Sequence, residues 1–186
     1  MAMFLLACVA APVSAAVFTT PDRALAEAFP GARIESRRYT LTPEQLDAVR
    51  KAARVRTTAD TLTAHLAWHG DTLAGTAFFE SRIVRTMPGV FMIAVSPETT
   101  VQRVEVIAFH EPPDFQPTSR WLDQFPGQRL DNRLWPRRDI RTLTGATLST
   151  QAVTESVRQA LAWYTVLVAP ALRDAGGSSA PGGGHR

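Results

Sequence analysis

From Asp22 onward the hydrophobic positions change period along the chain, and each change predicts an element. Asp22 reads as the N-cap of a short helix that runs through Phe29 and is ended by Pro30-Gly31. Residues 32–41 alternate irregularly, with Ile34 and Tyr39 among polar neighbours, which predicts an edge strand. Thr42-Pro43-Glu44-Gln45 follows as a capping box with proline at the first helical position, and Leu46, Val49 and Ala53 then keep helical spacing. Between Thr61 and His110 the period becomes two, broken by His69-Gly70-Asp71, Met87-Pro88-Gly89 and Ser96-Pro97-Glu98. This predicts an antiparallel meander with strands at 61–68, 73–84, 90–95 and 101–109. Pro112, Pro113 and Pro117 exclude regular structure until Thr118 caps a short helix holding Trp121, Leu122 and Phe125. After a loop over 131–141 a long helix follows, with Val153, Val157, Leu161, Tyr164 and Val168 at helical spacing up to Pro170. The class is α+β, an antiparallel sheet packed by helices.

The N-terminus does not belong to this pattern. Residues 2–11 form an apolar run of signal-peptide length, far short of the roughly 20 residues of a membrane span. Val13-Ser14-Ala15 offers small residues for cleavage after Ala15, so residues 1–15 read as a signal peptide, although no basic residue precedes the run. Export to the periplasm, or at least out of the cytoplasm, is the expectation. Cys8 is the only cysteine and would leave with the signal, so any redox chemistry of the mature protein needs a cofactor. Leu5-Leu6-Ala7-Cys8 resembles a lipoprotein box, which keeps a membrane-associated form as the alternative. The domain is expected over residues 16–175, with 176–186 as a disordered glycine-rich tail.

Charge narrows the function classes further. The formal charge is +3, and Lys51 is the only lysine, so the pI of 9.7 reflects arginine rather than a basic field. Nucleic acid is not an expected partner. His65 and His69 are four apart, yet no third ligand follows at useful spacing, and no metal site is assigned. No Gly-x-Ser-x-Gly elbow marks a serine hydrolase.

Thr144-Gly145-Ala146-Thr147-Leu148-Ser149-Thr150 lies where the loop enters the long helix. Small residues there admit close approach to the backbone, and a helix N-terminus offers free N–H groups and the positive dipole end, which suit a phosphate. Arg137, Arg138 and Arg141 precede it and could add charge. An ordinary hydroxyl cap at Thr147 or Ser149 explains the same residues as well.

This segment, followed by Ala152-Val153 and an amphipathic helix, resembles the flavin-attachment segment of the FMN-binding domain family, whose pattern is Ser/Thr-Gly-Ala-Thr. The family includes the periplasmic flavin subunits of the Rnf complex and of sodium-pumping NADH:quinone reductase. A second segment agrees: Phe109-His110-Glu111-Pro112-Pro113 and then Trp121-Leu122-Asp123-Gln124-Phe125-Pro126-Gly127 are similar to the family's His-x-Glu-Thr-Pro-Gly loop and Phe-Leu-x-Gln-Phe-x-Gly helix. The resemblance covers roughly residues 62–164. It implies FMN as cofactor, carried on Thr147 through a phosphoester that a flavin transferase makes. It also implies cofactor contacts from Thr144, Gly145, Ala146, Leu148, Ser149, His110 and Glu111, and redox partner proteins, a membrane electron-transfer complex being one such partner. No residue is assigned as catalytic, because the cofactor carries the chemistry. The chain departs from the family at Arg141, where an acidic residue is usual, and at Pro112-Pro113-Asp114. A different class remains as the alternative: an exported binding or assembly module that keeps the fold and lacks flavin.

Overall fold

The computed structural model describes residues 16–57 and 59–177. The signal-peptide reading and residues 178–186 of the tail lie outside them. Six antiparallel strands form one sheet in the order β1-β6-β5-β4-β3-β2. They are β1 (Ala16–Val17), β2 (Arg33–Thr40), β3 (Thr61–His69), β4 (Thr72–Ile83), β5 (Pro88–Val95) and β6 (Val101–Phe109). The expected meander, β3 to β6, is therefore present with each strand within two residues of its expected bounds; β1 at one edge has no counterpart among the expected elements, and β2 at the opposite edge is the expected edge. Its alternate charges, Arg37 to Glu35 at 2.6 Å and Arg33 to Glu35 at 3.7 Å, blunt that edge.

Both faces of the sheet are covered, and the alternation along β5 shows how. Phe91, Ile93 and Val95 turn to the larger core beneath α2 (Pro43–Ala53) and α4 (Thr147–Trp163), while Met92 and Ala94 turn to the smaller core beneath α1 (Pro21–Ala28). Small residues at Ala67, Ala77 and Ala94 let α1 sit close. Gly75 on β4 is part of the same fit: a Cβ there would meet Phe29 Cε1 at 2.6 Å and the Val95 carbonyl oxygen at 3.0 Å.

Four local expectations are corrected. Helix α1 is capped by Thr20, whose side chain accepts the Arg23 N–H, and Pro21 takes the first turn, so Asp22 lies inside the helix. Pro113–Phe115 forms a 3-10 turn within the proline-rich stretch. Thr118 caps α3 (Ser119–Leu122) as expected, but the helix ends before Phe125. Pro170 does not stop the long helix. A π-helical segment, Tyr164–Val168, carries the Ala169 N–H back five residues to the Tyr164 carbonyl, and α5 (Ala169–Gly177) continues beyond it. Proline lacks the N–H that a regular ladder would need at this point, and the widened turn absorbs the defect. The helix thus runs two residues past the boundary expected at 175.

Two polar groups tie α4 to its surroundings. Arg158, 1% exposed, donates to the carbonyls of Ala53 (2.7 Å), Asp131 (2.7 Å) and Leu134 (3.1 Å), and its guanidinium stacks 4.4 Å from the Trp135 ring centroid. Arg82 reaches from β4 to Glu155 (3.0 Å) and Gln159 (2.9 Å) on α4, with Glu80 3.6 Å away. Burial pushes the Glu80 carboxyl up to about 7, against the pull of Arg82. A carboxyl raised from 4.5 to about 7 on folding contributes stability that is complete below pH 4.5 and is lost as pH rises through 7. Glu80→Gln should therefore be more stable than wild type at pH 8, by about 2 kcal/mol, with little difference at pH 4.5. Urea midpoints at the two pH values check this, and equal pH slopes for both proteins would dismiss it.

Candidate functional site

The loop-to-helix junction is built by one turn and one hydroxyl. The Ala146 N–H donates to the Leu143 carbonyl at 3.0 Å, closing a turn whose third residue, Gly145, has φ +77°, a conformation that glycine adopts without strain. Thr150 Oγ1 accepts the Leu143 N–H at 3.0 Å and donates to the Ala146 carbonyl at 3.2 Å. Helix α4 starts at Thr147, and no side chain caps it. The N–H groups of Thr147, Leu148 and Ser149 find no backbone acceptor among the described residues, as expected of an open helix start.

Within the junction, Thr144, Gly145 and Thr147 are exposed, and the Thr147 hydroxyl makes no hydrogen bond among the described residues. Leu148 is half exposed beside it, an apolar side chain left at the surface. Ala146 and Ser149 are buried. Ser149 Oγ donates to the Phe115 carbonyl, which joins the helix start to the loop after β6. Neither Thr147 nor Ser149 caps the helix.

The same loop reaches the β4–β5 turn. Glu111 is buried and directs Oε1 at three successive backbone N–H groups, Arg85 (3.0 Å), Thr86 (2.6 Å) and Met87 (2.8 Å). The N–H bonds of Thr86 and Met87 hold its carboxyl below the usual range, so it is ionised at neutral pH. His110 Nδ1 lies 3.0 Å from the Pro88 carbonyl, an oxygen that can only accept, so Nδ1 carries the proton. Arg85, presented by the turn that Glu111 organises, sits 4.3 Å over the Phe115 ring. Three segments thus meet: residues 84–88, 110–115 and 143–150.

Arg85 and Phe115 were not singled out by the sequence, and Thr150 stood there only as the last residue of the segment entering the helix. Arg85 was legible only as part of a turn, and Phe115 only as one aromatic among prolines. Of the arginines expected to add charge, Arg138 instead donates to the Asn132 carbonyl in its own loop. Arg141 is exposed, and both of its backbone groups are taken: its N–H donates to Gln124 Oε1 at 2.8 Å and its carbonyl accepts from Trp121 Nε1 at 2.7 Å. A recess of about 490 Å³ beside them includes Arg120, Trp121, Gln124, Asp139 and Arg141 in its lining. A larger one, about 800 Å³, lies against β6 between α1 and α3 and takes no lining from residues 143–150. Of the histidine pair, His65 bonds Ser36 Oγ at 2.9 Å and stands edge-on to Phe79.

The arrangement suits a phosphate-bearing group: an uncapped helix start, open space at Gly145, a hydroxyl without a partner among the described residues, and Arg85 stacked on Phe115, whose carbonyl is bonded to Ser149. Comparison with known proteins agrees. The model of the FMN-binding domain matches residues 87–162, which takes in the loop after β6, α3 and the α4 junction and leaves β3 and β4 outside. No curated protein matches the chain. Residues 87–162 thus match the FMN-binding domain family that the motif resembles, and the match indicates FMN as the cofactor.

Proposed function

We propose that this is an exported electron carrier whose FMN is attached to Thr147 as a phosphoester, working as an electron-transfer flavoprotein or redox-complex subunit rather than as a stand-alone enzyme. The observation that carries the proposal is Thr147 itself: it opens α4, its hydroxyl is exposed and without a partner among the described residues, and the N–H groups around it are free. A flavin transferase would join Thr147 Oγ1 to the flavin-side phosphorus of a flavin phosphoanhydride donor: the anhydride P–O bond breaks, the other phosphate of the donor departs as the leaving group, and the hydroxyl proton is released. Bound FMN supplies the one- and two-electron chemistry. The chain's residues hold and orient: the free N–H groups and Arg85 favour the phosphate charge, and Leu148 offers apolar surface. Retention of colour by the denatured protein tests the attachment.

A covalent link suits a protein outside the cytoplasm, where released FMN would be diluted and lost. Redox partner proteins, including a membrane electron-transfer complex, would exchange electrons with it. Among the described residues no helix is long and apolar enough to cross a membrane. Export predicts a mature N-terminus at Ala16. N-terminal sequencing of protein from its native host should find it; an intact Met1 on cytoplasmic protein would remove export, and a diacylglycerol on Cys8 would establish the lipidated, membrane-associated form.

A further inference from the structure

Trp121, in α3, and Gln124, in the turn that follows it, have no task in the attachment reading. We propose that they are positioning residues for flavin loading: together they fix the backbone of Arg141 so that residues 141–147 meet the flavin transferase in one conformation. The inference rests on the Thr147 reading.

The geometry is a clip closed on both sides of one residue. Gln124 Oε1 accepts the Arg141 N–H at 2.8 Å, and Trp121 Nε1 donates to the Arg141 carbonyl at 2.7 Å. Gln124 Nε2 donates to the Trp121 carbonyl at 2.8 Å, which sets the orientation of the amide and couples the two halves. The clip stands on rigid ground. Trp121 is 9% exposed and packs edge-on against Phe125 at 5.3 Å, and Leu122 and Phe125 are buried in the main core.

Downstream, the Leu143 N–H is held by Thr150 and the turn from Leu143 to Ala146 is closed, so the segment between clip and attachment residue has little freedom left. Group transfer to a hydroxyl gains from such ordering, because the acceptor need not be immobilised when the enzyme binds it. Both clip contacts are to backbone atoms, so they hold any residue at this position equally. Arg141 can therefore stand where the family usually has an acid without the segment losing its shape.

The test uses the full-length apoprotein with flavin transferase and its flavin donor, following adduct formation by intact mass. Trp121→Phe deletes the indole N–H and keeps an aromatic ring; Gln124→Leu deletes both amide contacts; Gln124→Glu keeps an acceptor for the Arg141 N–H. The first two should load about tenfold more slowly, as expected when an acceptor loses its preset orientation. Gln124→Glu should stay near the wild-type rate, and thermal midpoints and non-covalent FMN affinity should remain close to wild type throughout. Should Trp121→Phe fail to fold, Gln124→Leu alone decides. Variants that load at the wild-type rate beside a normally loading wild type overturn this inference and leave the attachment reading standing. A wild type that takes no adduct overturns both.

Discussion

Thr147→Val is expected to abolish the covalent flavin completely, while the protein folds as before. The wild type, produced with the flavin transferase, should stay yellow after denaturation, and its mass should exceed that of the apoprotein by one FMN less one water. Valine nearly keeps the shape of threonine and removes the only atom able to form the ester. The fold should tolerate the change because Thr147 is exposed, caps nothing and bonds to no described residue. Two neighbours serve as comparison. Thr144→Val should keep the adduct, since Thr144 is exposed in the turn. Ser149→Ala should also keep it but loosen the site, because it frees the Phe115 carbonyl at a cost of about 1 kcal/mol. An adduct that survives Thr147→Val and disappears in Thr144→Val would move the attachment to Thr144. Flavin lost from the wild type on denaturation would leave FMN as a non-covalent cofactor and end the phosphoester reading.

How far these features could be read from the sequence depends on whether their causes are local. The capping box at Thr42 and Gln45 was legible because both of its hydrogen bonds close within four residues. The strands were legible because sidedness is written residue by residue, as in Phe91, Met92, Ile93 and Ala94. The α1 cap is local as well: Thr20-Pro21 repeats the hydroxyl-then-proline logic of Thr42-Pro43, which places Asp22 inside the helix rather than at its cap. Pro170 was read as a stop by the local rule, and packing of Leu167 and Val168 into the main core is what carries the helix through it. At the site, the motif located Thr147 and the loop that holds Glu111. It could not show where Glu111 points, because its partners are backbone N–H groups 24 to 26 residues away, which have no side-chain signature. The pairing of Arg85 with Phe115 depends on the same long-range closure.

Glu111→Ala should be the most disruptive change at the site, lowering stability by about 3 kcal/mol and weakening FMN binding at least tenfold. Its carboxylate takes three backbone N–H groups on one oxygen, and hydrogen bonds to a charged group are worth roughly 1.5–3 kcal/mol each when independent, less when they share an acceptor. Alanine leaves all three donors without that partner and releases the turn that presents Arg85 over Phe115. Glu111→Gln can still accept through its amide oxygen, so it should cost only about 1 kcal/mol. The two variants also separate by pH. The wild-type carboxyl is held below its ordinary 4.5 in the fold, so its contribution is complete above pH 4.5 and is lost as pH falls through the depressed value. Neither variant has that acid limb. Urea titrations at pH 7 and pH 4, with FMN affinity measured alongside, read all of this. The resemblance to the family would instead place Glu111 against the flavin, and that view makes a different forecast: Glu111→Gln would shift the midpoint potential and leave stability and its pH dependence as in wild type. A turn-organising carboxylate should do the reverse, with stability moving first and the potential following only as far as Arg85 is displaced.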